Sequence, residues 1–481
     1  MTVASGGLVR ELAEWIVSDG PERAPESARH AARRLILDRL GISLGGHRLL
    51  GAHPAAALAL PGQPAATRWA DGRQVFAPYA ALANGCAGDG LDLQAGADSV
   101  EAGWAAAEVA DRSLGDLVLA VIAAAEVGGY LRRWLGADLE RHGLHPPATL
   151  GALSATAAAG RLLGLSAEQL AGALAGAACL TPRAPFGAFT GGATGKTLYG
   201  GWPHLVGLWS CLWARDGMVG PTTALEGSRG VAQSILDAGG AVTPPPFEPA
   251  ARGWEVEAVA FKPFTCCRAA HPALTVLERL ERPDPGRVRE VRVWTYPYAV
   301  ELERRVRGRS PIAAQASVRW SVALFLALGE LRPGRAFTAE ALADPAVTLL
   351  ADRTMVEVGP EYAGDGPRVR GARVEVVLDD GSEVGGSAEE PRWGPTAPAT
   401  DDELRARFLA LVDESGVTTV DARGPDFHGA PAGADDSHAR SGGAERQHGR
   451  AADLVGVLDM PDATPTRSLL ATTRLAGGAR G

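Results

Sequence analysis

The chain has 481 residues, 46% of them apolar and 21% charged, and a formal net charge of −9. That length holds two or three domains with their own cores, and the apolar share excludes a disordered chain. The acidic balance, with no basic arm and no aromatic–basic repeat, excludes general nucleic-acid binding.

In chain order, Leu8–Val17 places Leu8, Leu12, Trp15 and Ile16 at helical spacing. Pro25 and Glu26 open a second helix that runs to Gly41, with Gly45-Gly46 read as a junction. Ala77–Leu93 is a small-residue helix ending in a polar cluster that contains Asp89 and Asp92. Helices are expected over Trp104–Ala110, Leu114–Trp134, Ala148–Leu163 and from the Ser166 N-cap to about Cys179. The apolar run Leu117–Leu131 is broken by Glu126 and is read as a buried helix, too short to span a membrane. A Trp-rich helix follows at His204–Arg215.

The pattern changes after about residue 260. Val288–Tyr298 alternates as a strand, Ala314–Leu331 reads as a helix, and Val369–Leu378 with Ser382–Gly386 reads as a hairpin. The expected fold is therefore mostly α. Between the helical stretches 1–264 and 401–481, residues 265–400 read as an inserted α+β segment of about domain size. The tract 424–449, rich in Gly, Ala, Asp and His, is expected to be a disordered loop, and its His428, His438 and His448 a solvated set rather than a metal site.

Five cysteines show no C-x-x-C pair and no iron–sulfur spacing, so reduced thiols in a cytoplasmic protein are expected. The N-terminus has no charged-then-apolar signal layout. Neither a metal nor a cofactor is called for.

Gly191–Gly201 (GGATGKTLYGG) resembles a phosphate cradle, but Thr190 stands where a P-loop needs its first glycine and no buried strand precedes it. Lys196 is better read as a cation that a glycine loop brings to a pocket. His145 stands before Pro146-Pro147 at a helix start, and His271 follows Phe261-Lys262-Pro263-Phe264-Thr265-Cys266-Cys267-Arg268 at another. Imidazoles and cations without metal-ligand spacing suit acid–base work on an anionic substrate. His204 is assigned to the core, His142 to the surface, and the Cys266-Cys267 pair to buried packing at a hinge.

These segments together resemble the MmgE/PrpD family. The resemblance rests on Leu37–Gly46, Ala81–Gly85, Gly143–Ser166, Gly195–Gly201, Leu225–Gly227 and Phe261–His271, and it runs from about Leu8 to Val412. It implies a large helical domain built from both chain ends (1–264 and 401–481), a smaller inserted α+β lid (265–400) with a pocket between the two, a homodimer, no cofactor, and removal of a proton next to a carboxylate. His145 matches the family's histidine-proline motif, Lys196 its pocket lysine, His271 the histidine after K-P-x-x-C, and Asp92 the first aspartate of its D-[FY]-D-D-[TS] motif.

The chain departs from that pattern at Asp89, which replaces a histidine, and at Gln94-Ala95, which replace an aspartate pair. The family's later histidine is missing, and Trp320 stands at the lid tyrosine. The expected catalytic set is His145, Lys196, His271 and Asp92, with Tyr199, Arg268, Asp89 and Trp320 binding substrate. The expected activity is dehydration of a carboxylated hydroxy acid. Decarboxylation or epimerisation of a di- or tricarboxylate is the alternative within the family, and a non-catalytic scaffold the alternative outside it.

Overall fold

The computed structural model describes residues 7–50, 65–70, 72–94, 99–363, 370–412 and 454–471. The tract 424–449 and its three histidines lie outside the described residues. Helices α1 (Leu8–Val17) and α2 (Glu26–Leu50) lead to a two-stranded antiparallel ribbon, β1 (Ala65–Thr67) and β2 (Gln74–Phe76). Helices α3 (Ala77–Gly90), α4 (Val100–Val109), α5 (Leu114–Arg141), α6 (Pro146–Leu162) and α7 (Ala167–Cys179) follow. A short α8 (Gly187–Thr190) and a 3-10 turn at Thr194–Thr197 precede α9 (Leu198–Arg215) and α10 (Val231–Ile235).

The next unit contains α11 (His271–Arg279), β3 (Val288–Thr295), α12 (Pro297–Arg305), α13 (Pro311–Gln315), α14 (Val318–Leu328), α15 (Ala339–Ala343) and α16 (Pro345–Asp352). Strands β4 (Thr354–Val358), β5 (Ala372–Leu378) and β6 (Glu383–Ala388) complete it before α17 (Asp401–Val412). Its sheet has the order β4-β3-β5-β6, with β3 and β4 parallel and the other pairs antiparallel. The fold is mostly α. One apolar core joins residues between Leu8 and Phe261 to Trp393, Leu404, Phe408, Leu454 and Leu469. A second core takes residues between Phe264 and Ala388.

Capping sets several helix starts. Ser113 with Asp116, and Ser166 with Gln169, each form a reciprocal capping box that satisfies backbone donors left over at a helix N-terminus. Helix α2 runs through Gly45 and Gly46 instead of stopping there. A Cβ on Gly46 would lie 1.9 Å from the Ala87 carbonyl oxygen, so the glycine serves close approach to α3 rather than a turn. Helix α5 extends past Trp134 to Arg141 and is long and apolar enough to cross a membrane, but 83% of its apolar window is buried among the other helices. Its Glu126 accepts hydrogen bonds from the backbone N–H groups of Ala250 (3.1 Å) and Glu255 (2.7 Å), which explains a carboxylate inside an apolar run.

The contact that matters most for function is α3 against α9. Gly200 would meet Asp89 Cβ at 2.5 Å and the Gly85 carbonyl at 2.6 Å if it had a Cβ, and Gly85 would meet the Gly200 carbonyl at 2.3 Å. Two facing glycines thus bring the backbones together, and α9 enters beside the C-terminal turn of α3. Lys196 lies just ahead of that entry.

Candidate active site

Helix α3 ends at Gly90, and Asp92 follows in the left-handed region, with φ 49°. Aspartate tolerates that conformation better than most side chains. Three side chains bind this terminus from outside. Lys262 Nζ donates to the Asp92 carbonyl (2.9 Å), Thr265 Oγ1 donates to the Leu91 carbonyl, and Gln315 Nε2 donates to the Gly90 carbonyl at 3.4 Å. The exposed carbonyls of the helix end make this a favourable place for cations.

Lys196 is 2% exposed, Asp89 4% and Asp92 5%. The Lys196 ammonium donates to the Asp89 carbonyl (2.9 Å) and Asp92 Oδ1 (3.1 Å), lies 3.1 Å from Asp89 Oδ2, and sits 4.7 Å from the centre of the Phe189 ring. Lys262 Nζ is 3.3 Å from Asp92 Oδ2, so Asp92 bridges two lysines. Burial alone would lower the Lys196 pKa, but Asp89 and Asp92 outweigh it and hold the ammonium above its ordinary value. Burial would raise Asp92, and the two lysines instead pull it down. Asp89 is different. Burial raises its pKa, with the Asp92 charge adding to the rise, and Lys196 does not fully offset them.

The glycine loop is held in place by the segment that joins α12 to α13. A Cβ on Gly192 (φ 75°) would meet Ser310 Oγ at 1.9 Å, and the Arg307 N–H donates to the Thr190 carbonyl at 2.8 Å. Gly195 has nothing near its absent Cβ.

His145 is the N-cap of α6. Its Nδ1 accepts from the Ala148 N–H at 3.3 Å, so the ring proton sits on Nε2. The loop that carries it is tied to the 184–186 segment, where the Ala184 carbonyl accepts from His145 N–H and the Gly143 carbonyl from Phe186 N–H, both at 2.8 Å. Its ring stacks on Tyr199 (5.6 Å) and meets Phe186 edge-on (5.1 Å). Tyr199 donates its hydroxyl to the Pro185 carbonyl at 2.6 Å. Burial and then the Lys196 charge push the His145 pKa down to about 3. The imidazole is therefore neutral at neutral pH, with Nε2–H as a donor.

Other expected residues lie elsewhere. His271 is fully buried in the lid core; its Nε2–H donates to the Cys266 carbonyl at 3.1 Å and its ring packs on Phe264 at 5.4 Å. Burial and then Arg268 hold its pKa well below the ordinary value. Trp320 is 3% exposed in that core, with the Arg309 guanidinium 5.7 Å from its ring. Arg268 is half-buried and donates to the Phe261 carbonyl; burial and then Arg370 lower its pKa to about 10. Thus Lys196, Asp89 and Asp92 make direct contact, His145 and Tyr199 stack within their electrostatic reach, His271 is buried against Phe264, and Trp320 belongs to the second core.

Sequence reasoning did not single out Lys262, although it lies in the quoted Phe261–His271 segment. It also missed a buried ion network under α3. Arg39 donates from Nε (3.0 Å) and Nη2 (2.6 Å) to Glu101 Oε1, and His204 Nε2 is 3.1 Å from Glu101 Oε2. All three are 0% exposed. Burial would raise the Glu101 pKa, but Arg39 and His204 hold it at about 2. His204 is a core residue, as expected, with an ionic role that its apolar neighbours concealed. A surface cavity of about 250 Å³, lined by Arg112, Asp116 and Arg161 among others, includes none of the site residues.

The two depressed histidines predict an acid limb in stability. Between about pH 3 and the ordinary 6.5 the unfolded chain protonates His145 and the folded chain does not, so stability rises with pH across that window and is flat above it. His271 acts in the same direction. The Tm is expected to fall from pH 7 to pH 5, and His145→Asn, which keeps an N-cap acceptor, to flatten that slope. An unchanged slope in the variant would remove His145 from this account.

The MmgE/PrpD N-terminal domain family matches residues 10–241, and the C-terminal domain family matches 264–423. The chain is 26% identical over 441 residues to the cis-aconitate decarboxylase-like protein oryM of Aspergillus oryzae, covering 84% of this chain and 90% of that one. It is also 26% identical over 457 residues to cis-aconitate decarboxylase of Aspergillus terreus, covering 87% and 92%. With both domain families matched in order across most of its length, the chain belongs to the MmgE/PrpD family.

Proposed function

We propose that the protein is a cofactor-independent lyase that removes water from a carboxylated hydroxy acid, with Asp89 moving the proton. The observation that carries this reading is the buried Asp89 carboxylate, its pKa raised and its position fixed by Lys196, beside the stacked His145 and Tyr199. A carboxylate raised by burial is a better base than one in water. The relatives named as decarboxylases support a lyase acting on a carboxylate. Lys262, Thr265 and Gln315 tie the segments that carry them to the end of α3, beside Asp89.

The step needs one acid–base group. Asp89 takes the proton from the carbon next to the carboxylate, the bond to the β-hydroxyl breaks, and the proton goes from Asp89 to the departing oxygen to give water. His145 does not act as the base, because its Nδ1 is committed to the Ala148 N–H. Its Nε2–H donates a hydrogen bond to the negative charge that develops on the substrate carboxylate. Lys196 orients Asp89, and its charge favours the ionised form against burial.

A panel of β-hydroxy acids and their unsaturated counterparts, followed by mass spectrometry, tests this. Interconversion by loss and gain of water is expected. Release of CO2 as the only chemistry would replace dehydration with the relatives' named reaction.

A further inference from the structure

We propose that Arg407 is a positioning residue of the site: it fixes the main chain at Lys262, and through it the ammonium that grips Asp92. The proposal rests on the lyase reading only for the role of Asp89 as base. Arg407 stands on α17, which docks on α2 where glycines permit close approach. A Cβ on Gly41 would lie 2.8 Å from Phe408 Cδ2, and one on Gly45 3.2 Å from Leu411 Cβ. Charged side chains on the facing turns match. Asp401 lies 2.9 Å from His30 Nε2 and 3.3 Å from Arg34 Nε, and Arg407 Nη2 pairs with Asp38. The Asp38 side chain is 0% exposed and that of Arg407 11%.

The other arm of the guanidinium turns toward the site. Arg407 Nη1 donates to the Lys262 carbonyl, 145 positions away, and the guanidinium carbon lies 5.0 Å from the centre of the Trp393 ring. A planar guanidinium holds a carboxylate and a carbonyl at once while stacking on a ring, which an ammonium cannot do. The Lys262 carbonyl belongs to the peptide plane shared with Pro263, whose ring restricts the backbone of the residue before it. Pinning that plane sets the direction in which the Lys262 side chain leaves. Its Nζ then reaches the Asp92 carbonyl at 2.9 Å and Asp92 Oδ2 at 3.3 Å. Lys196, 3.1 Å from both Asp92 Oδ1 and Asp89 Oδ2, links Asp92 to the base. If Lys262 slackens, the Asp92 charge is less neutralised and opposes ionisation of Asp89 more strongly.

The pH dependence of α-proton exchange of a β-hydroxy acid in D2O, followed by proton NMR on the full chain, tests this. Exchange needs ionised Asp89, so its rate falls on the acid side. Asp38→Asn/Arg407→Met removes the guanidinium without stranding a buried carboxylate, and its acid limb is expected to lie about one pH unit higher. Asp38→Asn alone leaves Arg407 on the Lys262 carbonyl and is expected to keep the limb in place. Lys262→Met is expected to move the limb as far, and adding the Arg407 change to it to move the limb no further. His145, Tyr199, Cys86 and Cys267, the other titratable groups near the two aspartates, carry no charge near neutral pH. Should the double variant fail to fold, Arg407→Lys keeps a charge beside Asp38 and is expected to give the same shift. A second readout needs no turnover. Acetic anhydride labelling of Lys262, read by peptide mass spectrometry, is expected to be several-fold faster without Arg407 than in Asp38→Asn, with Lys196 labelling unchanged. An acid limb that stays in place, or that moves equally in Asp38→Asn, would overturn the proposal and reduce Arg407 to a contact of the fold. Absence of exchange by the wild type on every acid would sink the lyase reading alone; the labelling rates then decide, and equal rates would overturn the proposal.

Discussion

Replacing Lys196 by methionine is expected to destabilise the fold by about 3–5 kcal/mol and to abolish turnover. The ammonium is the direct partner of two buried carboxylates, and its removal takes the Lys196 ion pair from Asp89 at 4% exposure. Asp92 keeps Lys262, so Asp89 bears most of the loss. The Asp89 pKa, already raised by burial, would rise further, and the carboxylate would take up a proton and cease to be a base. Urea unfolding checks the stability. Combining Lys196→Met with Asp89→Asn is expected to recover part of it while activity stays absent. A Lys196→Met protein of unchanged stability would show that the ion pairs contribute nothing to the fold.

The second large effect lies below the site. Glu101→Met leaves the Arg39 guanidinium and His204 in a place where all three side chains are fully buried, and a loss of about 3–5 kcal/mol is expected. The double variant Arg39→Met/Glu101→Met should be more stable than Glu101→Met, because apolar side chains of similar volume can replace a buried pair without stranding a charge. Denaturant midpoints of the two variants decide it. If the double variant is the less stable, the cost comes from lost packing rather than from loss of the Arg39–Glu101 pair. The network also supports the site, since His204 packs against Gly85, where α9 crosses α3.

Much of this architecture can be read from local pattern. Leu8–Val17, Asp401–Val412 and the Ser166 cap declare themselves by spacing and by capping residues, and the hairpin by Asp379-Asp380-Gly381. Strand β4 does not. It pairs in parallel with β3 across a helical crossover, and its Met355 and Val358 are exposed, so neither alternation nor a turn marks it. Gly45-Gly46 is misleading for a related reason, because only the approach of α3 reveals why glycine stands inside a helix.

The site divides in the same way. Lys196, Asp89, Asp92, His145 and Tyr199 sit in short polar or glycine-rich stretches that stand out against an apolar chain. Lys262 reaches Asp92 across 170 positions, and Arg39 reaches Glu101 across 62, so no spacing joins them. The role of His145 also depends on tertiary structure. The histidine-proline pair points to a helix start, but only the hydrogen bond from Ala148 N–H places the proton on Nε2.

The central claim is that Asp89 carries the proton at the carbon beside the substrate carboxylate. Proton NMR of a dehydrated β-hydroxy acid's saturated partner in D2O tests it directly, by following loss of the α-proton signal. The wild type is expected to exchange that proton, and Asp89→Asn to leave it in place while still binding the acid. Exchange by Asp89→Asn at the wild-type rate would contradict the claim.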